Sequence, residues 1–341
     1  MSLLHLSKLF EFKTDIRKIR RKSIIIVLFP FLCMVILVFR TLPILYVRKF
    51  SLIVGHKFYD YAHKSRQRAL DNLELIYKDN TTCEDRILMA KAVFVEIIKS
   101  FFDYAAFSHI VCKKKFFSFI EVKGEAHLRA AYDRGKGVIC LIPHLSSWEL
   151  AAITPPMLGY ETSAASKAMK QKFLENLMVK YRGRRGMKNI TREGSYCKLI
   201  EVLKKGECLI LMIDQDTKVK SVFVDFMGKL AYTPLGASRL ALETGAAIVP
   251  MAMTRKPDDN YCFMIYSELP VVNTGNIPND LLENTRRQTQ MMEEIIRAYP
   301  TQWVWMHRRW KTTPEALAEY RRRKGHQTEM NTQNITVSTY S

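Results

Sequence analysis

Within residues 137–152 (GVICLIPHLSSWELAA), His144 and Glu149 have the types and spacing of an acid–base pair. A hydroxyl is a poor nucleophile until a base takes its proton during bond formation, and an imidazole is suited to that task. A carboxylate on the other ring nitrogen fixes the tautomer and steadies the imidazolium. The expectation is therefore that His144 acts as base and that Glu149 accepts the His144 Nδ1 proton. The competing reading is structural: Ser146-Ser147-Trp148-Glu149 fits the S-x-x-E pattern of a helix capping box, in which Glu149 would only close a helix.

Three further stretches bear on binding. Tyr181-Arg182-Gly183-Arg184-Arg185-Gly186-Met187-Lys188 is either a solvated basic surface or an anion clamp, since guanidinium forks hold phosphate and carboxylate in bidentate fashion. Asp214-Gln215-Asp216 follows an apolar run and reads as an ordinary turn or as the lining of the same cleft. Residues 302–311 (QWVWMHRRWK) set three Trp among cations, which suits a membrane interface or packing against the core.

These residues need a scaffold, and the chain spells one out. Apolar runs at 116–122, 138–142, 208–213, 247–253 and 261–266 alternate with helical stretches. That alternation predicts an α/β domain, with a central sheet covered by helices. His144 stands just past the end of such a run, where open α/β sheets place their ligands. A long helix is expected from Thr81, capped by Thr81-x-x-Glu84, with a wide apolar face through Ile87, Ala90, Val93, Phe94, Ile97, Ile98, Phe101 and Ala105. A second is expected after Thr233 as N-cap and Pro234 at the first position, closed by Gly245.

Near the amino terminus, residues 23–39 carry no charge and would cover roughly 26 Å of a hydrocarbon core about 30 Å thick. Basic residues flank this segment on both sides, and Arg40 follows it where a cleaved leader would show small residues. The reading is a membrane anchor over 23–47, preceded by a basic segment 1–22 and followed by a folded body 48–314. A polar, disordered tail is expected over 315–341.

Composition narrows the partners. Fifty-three Lys and Arg against 33 Asp and Glu give a formal charge of +20, which calls for an anionic partner or surface. There is no zinc-finger, RNP or helix-turn-helix signature, so nucleic acid is not expected. The seven cysteines are scattered and never in C-x-x-C spacing, which predicts buried reduced thiols and no structural metal.

Taken in order, several motifs resemble those of the lipid A secondary acyltransferases, the lauroyl and myristoyl transferases of lipopolysaccharide assembly. They are Asn72-Leu73-Glu74-Leu75, His144-x-x-x-x-Glu149, Asp214-Gln215-Asp216, Val222 to Gly228, Thr233-Pro234-x-Gly236, Thr244-Gly245-Ala246 and His307 to Thr312. Glu149 in place of Asp sets the chain apart from the glycerol-phosphate acyltransferases, whose pattern is H-x-x-x-x-D.

The resemblance implies a glycerol-phosphate-acyltransferase-like α/β fold with a mostly parallel or mixed sheet and one N-terminal transmembrane helix in the bacterial inner membrane. The catalytic domain would lie on the cytoplasmic face. It implies an acyl carrier protein thioester as donor, a Kdo-bearing lipid A precursor as acceptor, and no cofactor beyond the carrier's phosphopantetheine. It marks His144 and Glu149 as the catalytic pair. The family's essential arginine falls on Arg182, with Arg184 its nearest rival, and Asp214 matches a further active-site acid.

Arg182 with Arg308 or Arg309 would hold the acceptor's phosphates or carboxylate, and other cations would meet the carrier protein and anionic inner-membrane lipids. Rival readings are acylation of a glycerol phosphate or a mannosylated inositol lipid, and a non-catalytic, membrane-tethered basic binding module.

Overall fold

The computed structural model describes residues 34, 36–169, 171–191, 195–320 and 322. Among the described residues there are nine strands: β1 (Ile120–Lys123), β2 (Val138–Leu141), β3 (Thr162–Ser166), β4 (Met187–Thr191), β5 (Cys208–Leu211), β6 (Ser221–Phe226), β7 (Lys229–Pro234), β8 (Ala247–Arg255) and β9 (Tyr261–Ile265). Seven of them form one sheet in the order β1-β9-β8-β2-β5-β3-β4, and β6 and β7 pair separately as an antiparallel hairpin. Pairing is parallel throughout the large sheet except between β8 and β9. The expected mostly parallel α/β sheet is thus present.

Every residue of β2 and of β8 is buried, as expected for strands covered on both faces. Alternation along β2 divides the core: Val138, Cys140 and Ile142 pack on one side, and Ile139, Leu141 and Leu145 on the other. Gly137, at the entry to β2, has φ +78°, and a Cβ there would lie 2.5 Å from the backbone oxygen of Leu203. Only glycine fits that turn.

The sheet is covered by helices. In chain order these are α1 (Ile44–Tyr61), α2 (His63–Tyr77), α3 (Cys83–Phe107), α4 (Lys113–Phe116), α5 (Glu125–Tyr132), α6 (Trp148–Leu158), α7 (Lys172–Gly183), α8 (Tyr196–Lys204), α9 (Gly236–Thr244) and α10 (Ile277–Ala298). Helix α3 buries Ala90, Val93 and Phe94, while Phe101 stays exposed. Gly55 lets α1 lie against α3, since a Cβ there would come within 2.7 Å of the Val95 Cα.

Several sequence expectations are corrected. The capping box of α3 sits one residue further on: Thr82 is the N-cap, and it exchanges hydrogen bonds with Asp85. Phe116 ends a short helix, and the strand begins at Ile120. Thr233 and Pro234 end β7 and do not cap a helix; α9 starts at Gly236 and closes on Gly245 in a left-handed conformation. The hairpin β6–β7 turns on Met227 and Gly228, both at positive φ, a geometry matching the strand twist.

Most of the apolar segment 23–39 lies outside the described residues. Among the described residues no helix is long and apolar enough to cross a membrane. Residues 44–47, placed in the anchor by the sequence reading, instead open α1 after Pro43, and Val47 is buried in the body. The opposite side of α1 exposes Leu45, Tyr46, Phe50 and Ile53. At the other end, residues 314–320 are helical. Most of the expected disordered tail falls outside the described residues.

Candidate active site

Strands β2 and β5 are parallel neighbours, with Val138 opposite Cys208. Each continues past its carboxyl end into a polar residue, His144 from β2 and Asp214 from β5. His144 Nδ1 lies 2.7 Å from Asp214 Oδ1, and the His144 backbone N–H donates to Oδ2 at 2.7 Å. Trp303 Nε1 donates to the same Oδ2 at 2.9 Å.

Asp214 is fully buried, and burial alone would raise its pKa. The His144 charge and the hydrogen bonds from His144 and Trp303 outweigh that and hold it down at about 2. An ionised carboxylate can only accept, so His144 Nδ1 must carry the proton. In the neutral imidazole this leaves Nε2 with a free lone pair, on a side chain 20% exposed beside the Trp148 ring. Such an imidazole can take a proton from a hydroxyl brought to it.

The sequence assigned this orienting task to Glu149, and the structure corrects it. Glu149, in the first turn of α6, accepts two hydrogen bonds from Arg182 at the end of α7: Nε to Oε2 at 3.1 Å and Nη2 to Oε1 at 2.7 Å. Arg182 Nη1 also donates to Asn189 Oδ1 on β4 at 2.8 Å. The pair is largely shielded, with side chains 13% and 21% exposed. The capping-box alternative for Glu149 fails as well: the N-cap is Ser147, which makes no side-chain capping bond, and the Ser146 hydroxyl donates to Glu96 instead.

The loop carrying His144 is stitched to the 302–305 segment. Ser146 N–H donates to the Gln302 carbonyl at 2.7 Å, Val304 N–H to the His144 carbonyl at 3.3 Å, and Leu145 and Trp303 form an isolated β-bridge. Ser146 sits at φ +45°, a left-handed conformation uncommon for a non-glycine residue. Its hydroxyl donates to Glu96 on α3 at 2.7 Å.

Glu96 belongs to a buried charge cluster. Arg255 Nε reaches both Glu96 oxygens at 3.0 and 2.8 Å, and Arg255 Nη1 reaches Asp103 at 2.7 Å. Gln302 closes the circuit by accepting from the Arg255 N–H and donating to its carbonyl. Long helix, sheet and the His144 loop are therefore locked together through polar groups that are costly to leave unpaired.

The other expected site residues divide. Arg184 and Arg308 are exposed. Arg309 is fully buried; it donates to Tyr232 O at 3.0 Å and Thr233 Oγ1 at 2.6 Å and lies over the Phe226 ring, so it cannot also hold an acceptor phosphate. The interfacial reading of Trp303 and Trp305 is likewise overturned, because both rings are within the core at 1% and 0% exposure. Asp216 fixes the same carboxyl-terminal segment by accepting the Thr312 N–H at 2.8 Å.

A family model described as bacterial lipid A biosynthesis acyltransferase matches residues 11–312. The chain is similar to a phosphatidylinositol mannoside acyltransferase of Mycolicibacterium smegmatis, 26% identical over 54% of this chain and 60% of that protein. It is 24% identical to a lipid A biosynthesis acyltransferase of Haemophilus influenzae over 76% of this chain and 78% of that one. Similarity to the lipid A biosynthesis lauroyltransferase of Escherichia coli is 29% over 58% and 63% respectively. The chain spans about three fifths of the length of the mycobacterial relatives it matches. With the family model covering nearly the whole body from which His144, Asp214, Glu149 and Arg182 are assembled, the chain belongs to the bacterial lipid A biosynthesis acyltransferase family.

Proposed function

We propose that this protein is an acyltransferase that moves a fatty acyl chain from an acyl carrier protein thioester to a hydroxyl of a Kdo-bearing lipid A precursor. The observation that carries the reading is the His144–Asp214 contact at the open end of the sheet. It supports a base on a partly exposed side chain whose Nδ1 is held by Asp214, which leaves Nε2 to serve as the base.

In this mechanism the acceptor hydroxyl gives its proton to His144 Nε2 while its oxygen attacks the thioester carbonyl carbon. Asp214 steadies the imidazolium so formed. The tetrahedral oxyanion is stabilised by hydrogen-bond donors, backbone N–H groups near His144 or a positioned arginine. Collapse breaks the C–S bond, and the sulfur leaves with the proton returned from His144 Nε2. The products are an ester on the acceptor and a free thiol on the carrier protein. The Glu149–Arg182 pair shapes the cleft beside this base.

Location at the bacterial inner membrane, with the catalytic domain on the cytoplasmic face, is part of the proposal. It is supported by the apolar sequence at 23–39 and by the exposed Leu45, Tyr46, Phe50 and Ile53 of α1. The excess of cations suits an anionic lipid surface and an acidic carrier protein.

The deciding experiment is acyl transfer by the full chain from acyl carrier protein thioesters to purified acceptors, read by mass spectrometry. A Kdo-bearing lipid A precursor, a glycerol phosphate and a mannosylated inositol lipid are supplied side by side, the last because of the mycobacterial relatives. Transfer to the first that is abolished by His144→Ala is the expected result. Transfer only to another acceptor would replace the substrate, and transfer unaffected by His144→Ala would overturn the mechanism.

A further inference from the structure

Beside the catalytic loop, α2 and the segment 307–311 enclose an open pocket of about 410 Å³. Three cations line it: Arg68 from α2, and Arg308 and Lys311 from the carboxyl-terminal segment. Among the described residues none of the three is paired with a carboxylate. Asp71 is the one acidic residue in the lining, and it accepts a hydrogen bond from Gln67 at 2.8 Å. Three positive charges against one negative leave the pocket with a positive excess.

The pocket is built and held in shape. Asn72 Nδ2 donates to the Trp305 carbonyl at 2.7 Å and to the His307 carbonyl at 2.8 Å, tying α2 to the loop that presents Arg308. His307 forms part of the wall, and its Nδ1 is buried with no hydrogen-bond partner. The His307 N–H donates to the Val304 carbonyl at 3.2 Å and the Val304 N–H to the His144 carbonyl at 3.3 Å, so the wall of the pocket is tied to the loop that carries His144. Unpaired guanidinium and ammonium groups converging on one concave surface are the chemistry that recognises phosphate.

We propose that Arg68, Arg308 and Lys311 form a phosphate-binding subsite that anchors a reactant beside His144. The subsite deepens the acyl-transfer reading and rests on it for the identity of that reactant. Phosphate can come from two sources: a phosphate ester on the acceptor's head group, or the phosphodiester of the donor's phosphopantetheine arm.

The test uses the full chain and the variant Arg68→Gln/Arg308→Gln/Lys311→Gln, with Arg308→Gln alone, at an exposed position, as the fallback if the triple variant fails to fold. Inorganic pyrophosphate is titrated against thermal melting of each. Protection of the wild type that weakens in the variant is expected, and equal behaviour of the two overturns the subsite. This arm is readable even if no acyl transfer is found, so failure of the functional reading and failure of the subsite can be told apart.

In the second arm, KM is compared for a phosphorylated acceptor, its dephosphorylated counterpart and the acyl carrier protein thioester. If the acceptor phosphate is bound, the variant raises KM for the phosphorylated acceptor by about 10-fold or more and erases its advantage over the dephosphorylated one. A rise confined to KM for the thioester assigns the pocket to the donor arm. Pyrophosphate protection with no change in any KM would mean an adventitious anion only, and would overturn the proposal.

Discussion

His144 and Asp214 are separated by seventy residues, the same offset that relates Val138 to Cys208 across β2 and β5, so the parallel register itself delivers the imidazole to the carboxylate. Asp214→Asn keeps the size of the side chain but replaces an obligatory acceptor with a group that can donate, allowing the wrong imidazole tautomer. Turnover should fall by roughly 10² to 10⁴-fold. Glu149→Gln leaves the His144 Nδ1 contact intact and should cost less, with its effect concentrated in KM. Steady-state kinetics of both well-folded variants decide the assignment: a larger kcat loss for Glu149→Gln would restore Glu149 as the partner of the base.

The low pKa of Asp214 carries a signature in stability. Its folded value, about 2, lies below the ordinary 3.8, so the native state favours the ionised form. The stabilisation is therefore complete above the ordinary value and is lost as pH falls toward about 2. Thermal melting of wild type and Asp214→Asn should show a gap that is present at neutral pH and is lost as pH falls below the ordinary carboxylate value toward about 2. A gap already closed at pH 6 would mean that the carboxylate is not held ionised by its surroundings.

How much of this was legible in the sequence follows from the range of each signal. His144 was readable because a single apolar run points straight at it, and the central sheet because its strands are continuously apolar. Strands β3 (Thr162–Ser166) and β4 (Met187–Thr191), at one end of the sheet, were not read as strands, since small and polar residues there carry no β signature. The partner of His144 was misread because sequence proximity favoured Glu149, whereas the true partner depends on which strand lies next to β2. Equal spacing from each strand start to His144 and to Asp214 was the one available clue. Arg309 and Trp303 were misread for a different reason: their types suit a membrane surface, but buried hydrogen-bond partners on β7 and at Asp214 claim them.

The cluster of Glu96, Asp103 and Arg255 makes a strong prediction about stability. Arg255→Met leaves two buried carboxylates without their main counter-charge, and removal of one partner from such a group costs about 3–5 kcal/mol. Glu96→Gln retains an acceptor for Ser146 but weakens the Arg255 contact, so it should destabilise less while still lowering turnover through the His144 loop. Denaturant unfolding and kinetics on the same preparations test both statements. Full stability of Arg255→Met would show that the cluster does not hold the loop.

The last prediction concerns the Glu149–Arg182 pair. Two parallel N–H donors meet two carboxylate oxygens, and a third N–H reaches Asn189, so the guanidinium is held by geometry as well as charge. Lysine preserves the charge but cannot reproduce a planar fork, so Arg182→Lys should lose much of the function that Arg182→Gln loses. Because the two side chains act as one unit in a shielded site, Glu149→Gln combined with Arg182→Lys should be little worse than either change alone. A coupling free energy of about 0.5–3 kcal/mol from a double-mutant cycle on kcat/KM is the expected outcome. Strict additivity would mean that the two residues serve separate ends, with Arg182 free to bind an anionic reactant on its own.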